Sequence, residues 1–152
     1  MKIKVIGIIA IMLASVIVIG CVETTIDDLP NPKTLSANDK KDYTIVDIRD
    51  LMKYPDSYLN KNIYLSGEVS WILEKNGASN LIIDVPIRGS AYETENVLVY
   101  YKGSLPRIYK GTNVEVYGIM NGEGTVTSSN PFTNIESEKK APKIYAVQII
   151  EK

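Results

Sequence analysis

Ile63-Tyr-Leu-Ser-Gly-Glu-Val-Ser-Trp-Ile-Leu73 alternates apolar or small residues (Ile63, Leu65, Gly67, Val69, Trp71, Leu73) with Tyr64, Ser66, Glu68 and Ser70. Successive side chains leave a strand on opposite sides, so a period of two marks a strand with one buried face. The stretch reads as one long strand with Trp71 and Leu73 in the core row. Directly after it, Lys75-Asn76-Gly77-Ala78 is a hairpin signal, because Asn-Gly accepts the positive φ values of a two-residue turn. Leu81 to Val85 is the return strand.

The same reasoning extends along the chain. A polar loop, Arg88-Gly-Ser-Ala-Tyr92-Glu-Thr-Glu95, leads into a third strand at Val97 to Tyr101. Leu105-Pro106-Arg107-Ile108-Tyr109 is a short helical or turn segment, since proline suits a first helical turn. Asn113 to Met120 forms a fourth strand with Val114, Val116, Gly118 and Met120 inward, and Lys143 to Ile150 a fifth. Residues 121–142 are rich in Gly, Ser, Thr and Asn and read as a long loop in which Thr125-Val126-Thr127 pairs at most briefly. Gly122-Glu123-Gly124 lacks the third glycine of a dinucleotide loop and reads as a turn. Upstream, Thr44-Ile45-Val46-Asp47 fits a capping box, with Ile45, Ile48, Leu51 and Met52 on one helical face before Pro55. Five strands, with glycines inside the first and fourth where a small barrel must bend, predict an all-β, five-stranded OB-fold barrel. It carries a short N-terminal helix and a short helical turn between strands 3 and 4.

The chain opens with Met1-Lys2-Ile3-Lys4 and an uncharged run from Val5 to Gly20, followed by Cys21, the single cysteine of the sequence. A positive start, an apolar stretch and a small residue at the cut form the layout of a secretory signal. The run is short for a spanning helix, which needs about 20 apolar residues; retention as an N-terminal anchor is the alternative. Val18-Ile19-Gly20-Cys21 resembles the lipobox of prokaryotic lipoproteins. That resemblance implies cleavage after Gly20, lipidation of Cys21, and residence on the extracytoplasmic face of a cell membrane. Three domains follow: residues 1–20 as signal peptide, 21–42 as a flexible tether reaching about 25 Å, and 43–152 as the folded domain. With Cys21 lipidated, no thiol remains for a disulfide, so stability must come from a packed core.

Loss of Lys2 and Lys4 with residues 1–20 leaves 15 of the 17 basic side chains against 18 acidic ones. A nucleic-acid binder ordinarily shows a basic excess, so this balance disfavours that partner. The chain has no histidine, the commonest general acid–base and a principal transition-metal ligand. Glu68 and Glu115 fall at outward strand positions. No catalytic residues, metal or cofactor are expected.

Aromatic residues are the more informative signal, with ten tyrosines against one phenylalanine and one tryptophan. By parity Tyr64, Tyr100 and Tyr117 point away from the core, and Tyr64 and Tyr117 are placed to stack across neighbouring strands. The usual binding face of an OB barrel, on its second and third strands, would present Lys75, Arg88, Tyr92, Tyr100 and Lys102, with Phe132 from the long loop. The reading is a non-catalytic binding module at the cell envelope with a protein partner or small ligand.

Two family resemblances add to this. Val97-Leu-Val-Tyr-Tyr-Lys-Gly-Ser-Leu-Pro-Arg-Ile-Tyr-Lys-Gly-Thr-Asn-Val-Glu-Val-Tyr-Gly118 resembles the central motif of the cytochrome c maturation haem chaperone, an extracytoplasmic OB-fold family. It implies a haem-handling alternative, although the family's haem-attaching histidine or cysteine has no counterpart after the motif; Tyr145 or Met120 would have to replace it. The longer stretch from Leu51-Met-Lys-Tyr-Pro-Asp-Ser-Tyr-Leu-Asn-Lys through Leu65-Ser-Gly-Glu-Val to Ile150 is similar to OB-fold lipoproteins labelled tRNA-anticodon-binding-like. It implies an oligonucleotide-binding alternative, although fold does not fix function.

Overall fold

A computed structural model describes residues 24–130 and 135–152. Among the described residues the chain is predominantly β, with strands β1 (Thr44–Ile45), β2 (Asn62–Lys75), β3 (Ala78–Pro86), β4 (Thr94–Lys102), β5 (Asn113–Asn130) and β6 (Ile135–Glu151), and one short α-helix, α1 (Ile48–Lys53). They form a six-stranded sheet in the order β1-β2-β3-β4-β6-β5, and a further β2–β5 pairing returns the sheet to its start as a ring. β4 and β6 run parallel, and the remaining ring pairs are antiparallel. Inside the ring Ile63, Leu65, Val69, Leu81, Ile83, Val97, Val99, Val114, Val116, Met120 and Ile144 pack together, and Ile48 and Leu51 of α1 join them.

Two features of β2 and β5 allow the ring to close. A Cβ on Gly67 would lie 2.4 Å from the Asp84 carbonyl oxygen, and one on Gly118 2.7 Å from that of Tyr145. Any side chain there would push neighbouring strands apart. The β2–β3 hairpin turns through Asn76 and Gly77 at φ 54° and 79°, as the sequence predicts.

Five differences from the sequence reading bear on function. The first lies within β2. Pairing with β3 slips between Val69 and Trp71, so Val69 faces Ile83 while Trp71 faces Ile82 and Ile72 faces Leu81. The bulge at Ser70 adds one residue and inverts the parity. Ile72 therefore turns toward the core, and Trp71 and Leu73 go outside, each 45% exposed.

The second concerns the helix. It is capped by Asp47, whose carboxylate accepts the Arg49 backbone N–H; Thr44 and Ile45 pair in β1 with Ile63 and Tyr64, and Ile45 is 75% exposed. Third, of the helical or turn segment expected between β4 and β5, residues 103–112 take the turn form, with Ile108 N–H donating to the Leu105 carbonyl at 2.9 Å, and no helix. Glu74 holds this connection by accepting the Leu105 N–H at 2.6 Å and the Ser104 hydroxyl at 2.8 Å.

The fourth is the expected long loop. Glu123 to Asn130 pairs residue by residue with Pro142 back to Ile135, so β5 and β6 continue past the ring as a two-stranded ribbon. Gly122, at φ 78°, sits in the register break between Met120 and Glu123 where the ribbon leaves the ring. The ribbon leans on β4 through a Lys139–Glu95 ion pair.

The fifth is the segment read as a flexible tether. From Thr24 onward it is laid along the sheet. Leu29 and Leu35 are 5% and 7% exposed, Lys33 N–H donates to the Val147 carbonyl at 2.9 Å, and Leu35 packs with Tyr117 and Val147. Short 3-10 turns at Ile26–Asp28 and Asp39–Asp42 fit this strap to the sheet.

Candidate functional site: the outer face of β2, β3 and β4

Register assigns the outward residues of this face to rows. Lys75, Ala78 and Lys102 lie opposite one another at the hairpin end; then come Leu73, Asn80, Tyr100 and Tyr145; then Trp71, Ile82, Leu98 and Lys143. The next row is polar. There Asp84 accepts from the Asn96 amide at 2.6 Å and from the Ser70 hydroxyl at 3.0 Å. The middle of the face is thus apolar, with lysines at its margins and, along one side, the engaged Asp84 and the exposed Glu68 opposite it.

Tyr100 meets Tyr145 edge-on, with ring centroids 6.0 Å apart, and Lys143 Nζ stands 5.6 Å from the Tyr145 ring centre. Burial, then the neighbouring Tyr145, raises the Tyr100 phenol above its ordinary range, so it is neutral at physiological pH. The strap begins here. The Thr24 hydroxyl lies 3.2 Å from the Tyr145 hydroxyl, and Thr24, Thr25, Ile26 and Leu29 wall a cleft whose other side is Lys75, Asn76, Ala78, Asn80 and Tyr100.

The candidate residues from sequence therefore divide. Lys75, Tyr100 and Lys102 share one end of the face. Arg88 and Tyr92 belong to the β3–β4 loop at the opposite strand ends, about 27 Å away for eight residues of strand. Tyr92 is 96% exposed. Arg88 instead edges a shallow cavity of about 330 Å³ beside Ile45, Asp47, Tyr64 and Val85. Phe132, Cys21 and Gly20 lie outside the described residues. Of the two alternative replacement ligands, Met120 is buried in the core and Tyr145 faces outward from the adjoining strand.

Sequence reasoning missed Trp71, Leu73 and Tyr145 as members of this face. The run Trp71-Ile72-Leu73 was the available signal: in three consecutive apolar residues either Ile72 or the Trp71–Leu73 pair must lie outside, and parity alone does not decide which.

Elsewhere on the outside, Tyr64 and Tyr117 stack as expected, directly opposite in register with centroids 4.9 Å apart. Glu115 accepts the Tyr64 hydroxyl at 3.0 Å. Tyr43 closes edge-on over Tyr117 at 5.4 Å, and Lys40 lies 4.9 Å from the Tyr117 ring centre. The strap covers this cluster in part, with Leu35 packed against Tyr117, and its role is structural. Among the described residues, no three His, Cys, Asp or Glu side chains come together as a metal site.

No family model matches the chain. No curated protein matches either. Among solved structures, a chain described as an aspartyl-tRNA synthetase from Leishmania major Friedlin is similar at 11% identity and a TM-score of 0.46, covering 80% of this chain and 23% of that one. An aspartyl-tRNA synthetase from Entamoeba histolytica is similar at 13% identity and a TM-score of 0.40, covering 82% and 28%. This chain thus spans about a quarter of the length of either protein.

Proposed function

We propose that this protein is a non-catalytic binding module, built on a five-stranded OB-type barrel and held by a lipid on Cys21 at the extracytoplasmic face of a membrane. It engages its partner through the outer face of β2, β3 and β4. The strand order β2-β3-β4-β6-β5 closing on β2, with β4 and β6 parallel, supports the OB assignment. The observation that carries the binding reading is the exposure of Trp71 and Leu73 beside Ile82, Leu98 and Tyr100. A neighbouring apolar group of this kind on a soluble face marks an interaction site. The carboxylates around it support a non-catalytic role: Asp84 and Glu74 are engaged by Asn96, Ser70, Ser104 and Leu105.

The same face favours a second reading, in which bases stack on Trp71 and Tyr100 while lysines meet phosphates. Affinity for a single-stranded oligonucleotide that falls steeply with salt would establish that reading in place of the first. Of the two replacement ligands in the haem alternative, Met120 is buried in the core, which leaves Tyr145.

The test is a photo-reactive amino acid placed at position 71 in the full chain in its native membrane, against the same residue at Tyr109, which is 66% exposed on the β4–β5 connection. Adducts specific to position 71, whether to a protein or to lipid, are expected. Equal labelling at both positions would sink the reading.

A further inference from the structure

The strap changes the distance between membrane and domain. Read as a flexible tether, residues 21–42 would hold the barrel about 25 Å off the lipid. Thr24 is instead fixed against Tyr145 at the edge of the Trp71 face. Two residues, Val22 and Glu23, lie between Cys21 and Thr24, and an extended chain advances at most about 3.6 Å per residue, so over these three steps the lipid-bearing backbone can reach no farther than about 11 Å from Thr24.

The chemistry of the face matches what then lies against it. Trp71 and Leu73 are half-exposed at its centre. Lys75 and Lys102 share the row at the hairpin end, and Lys143 stands beside Tyr145 in the row of Trp71. Tryptophan and tyrosine favour the headgroup level of a bilayer, and lysine stems lie along apolar surface while their ammonium groups reach phosphate. Basic side chains near an anionic leaflet each add about 1 kcal/mol. The acidic groups nearby are Asp84, bound by Asn96 and Ser70, Asp28, bound by the Thr25 N–H and hydroxyl, Glu74, bound by Ser104 and Leu105, and two exposed ones, Asp27 and, opposite Asp84 at the far margin from the hairpin, Glu68.

We infer that the outer face of β2, β3 and β4 rests on the lipid headgroups of the membrane to which Cys21 is anchored, with Trp71 and Leu73 entering the interface and Lys75, Lys102 and Lys143 meeting anionic phosphates. The occupant of the face is the lipid surface itself. The inference rests on the lipid-anchor reading and supplies the partner that reading leaves open. The Arg88 and Tyr92 end of the sheet, about 27 Å along β3 and β4, is left accessible.

Trp71 is the single tryptophan and reports its own surroundings. The full chain, purified from membranes and reconstituted into phosphatidylcholine–phosphatidylglycerol vesicles, is expected to show blue-shifted emission. That emission should be quenched by headgroup-spin-labelled lipid and shielded from acrylamide. Lys75→Glu, Lys102→Glu and Lys143→Glu together should reverse the shift and the shielding while the chain still floats with the vesicles. A chain that floats but whose Trp71 is open to acrylamide and untouched by labelled lipid overturns the inference and leaves the anchor intact. A protein adduct at position 71 in native membranes would likewise overturn it. Failure of radiolabelled fatty acid to enter the wild-type chain, or its persistence in Cys21→Ser, overturns the anchor reading separately.

Discussion

Tyr64 shows how one side chain ties two strands to an alkaline limit. Its hydroxyl donates to Glu115 on β5 at 3.0 Å beneath the strap. Burial, then the Glu115 carboxylate, push its phenol up to about 12. In the unfolded chain it would ionise near pH 10. Its contribution to stability is therefore complete below about pH 10 and is lost as pH rises toward about 12, because the unfolded state releases the proton first. Tyr64→Phe should lose less stability than wild type across that window, measured as denaturant midpoints at several alkaline pH values. Some loss should persist, since Tyr43 and Tyr117 are also raised by burial and by nearby acids. A wild-type curve no steeper than that of the variant would remove Tyr64 from the account. The cross-strand placement of Tyr64 and Tyr117 was readable from parity alone, because β2 is regular from Ile63 to Val69. Trp71 was misplaced for the converse reason. A single inserted residue inverts everything after it, and Ser70 carries no conformational signature of a bulge.

At the level of elements, the sequence was informative where hydrogen bonding is local or alternation is unbroken. The Asn76-Gly77 hairpin and the ring strands β2 to β6 fall where the pattern puts them. The helix was legible from Ile48 and Leu51, but its start was not, since Thr44 and Asp47 are both competent caps and pairing of β1 with β2 decides between them. The strap and the ribbon were hidden for a different reason. Strap residues Leu29 and Leu35 are isolated apolar side chains among polar ones, and one-sided periodicity cannot reveal a segment that docks at two points. The ribbon is polar on both faces, so its pairing rests on backbone hydrogen bonds that leave no hydrophobic pattern. A docked strap has a measurable consequence that a tether lacks. Leu35→Ala removes a buried side chain packed on Tyr117 and Val147. Truncations of buried leucine cost about 2–5 kcal/mol, and a peripheral site able to relax belongs near about 2. Urea unfolding of the variant should show that shift at an unchanged slope. Indistinguishable midpoints would return the segment to the role of spacer.

The whole molecule combines two structures of unequal stability in the same pair of strands. From Asn113 to Met120, β5 is bonded on both edges, to β2 and to β6, over a core of Val114, Val116 and Met120. Beyond Gly122 it pairs, among the described residues, with β6 alone, and the ribbon side chains from 136 to 140 are exposed. Isolated two-stranded hairpins are marginal in water, and local opening follows the density of buried contacts rather than the continuity of an element. The ribbon's supports at its base are Ala141, which is buried, Gly124 against Leu98, and the Lys139–Glu95 ion pair. An exposed ion pair of this kind contributes about 0–1 kcal/mol, too little to protect eight residue pairs. Native-state hydrogen exchange should therefore divide β5 at the Gly122 bulge. Amides of Val114, Val116 and Met120 should exchange only through global unfolding, whereas those of Val126 and Ser128 should exchange by local opening with little denaturant dependence. Equal protection on both sides of Gly122 would mean that another surface covers the ribbon, and would make that surface the next partner to seek.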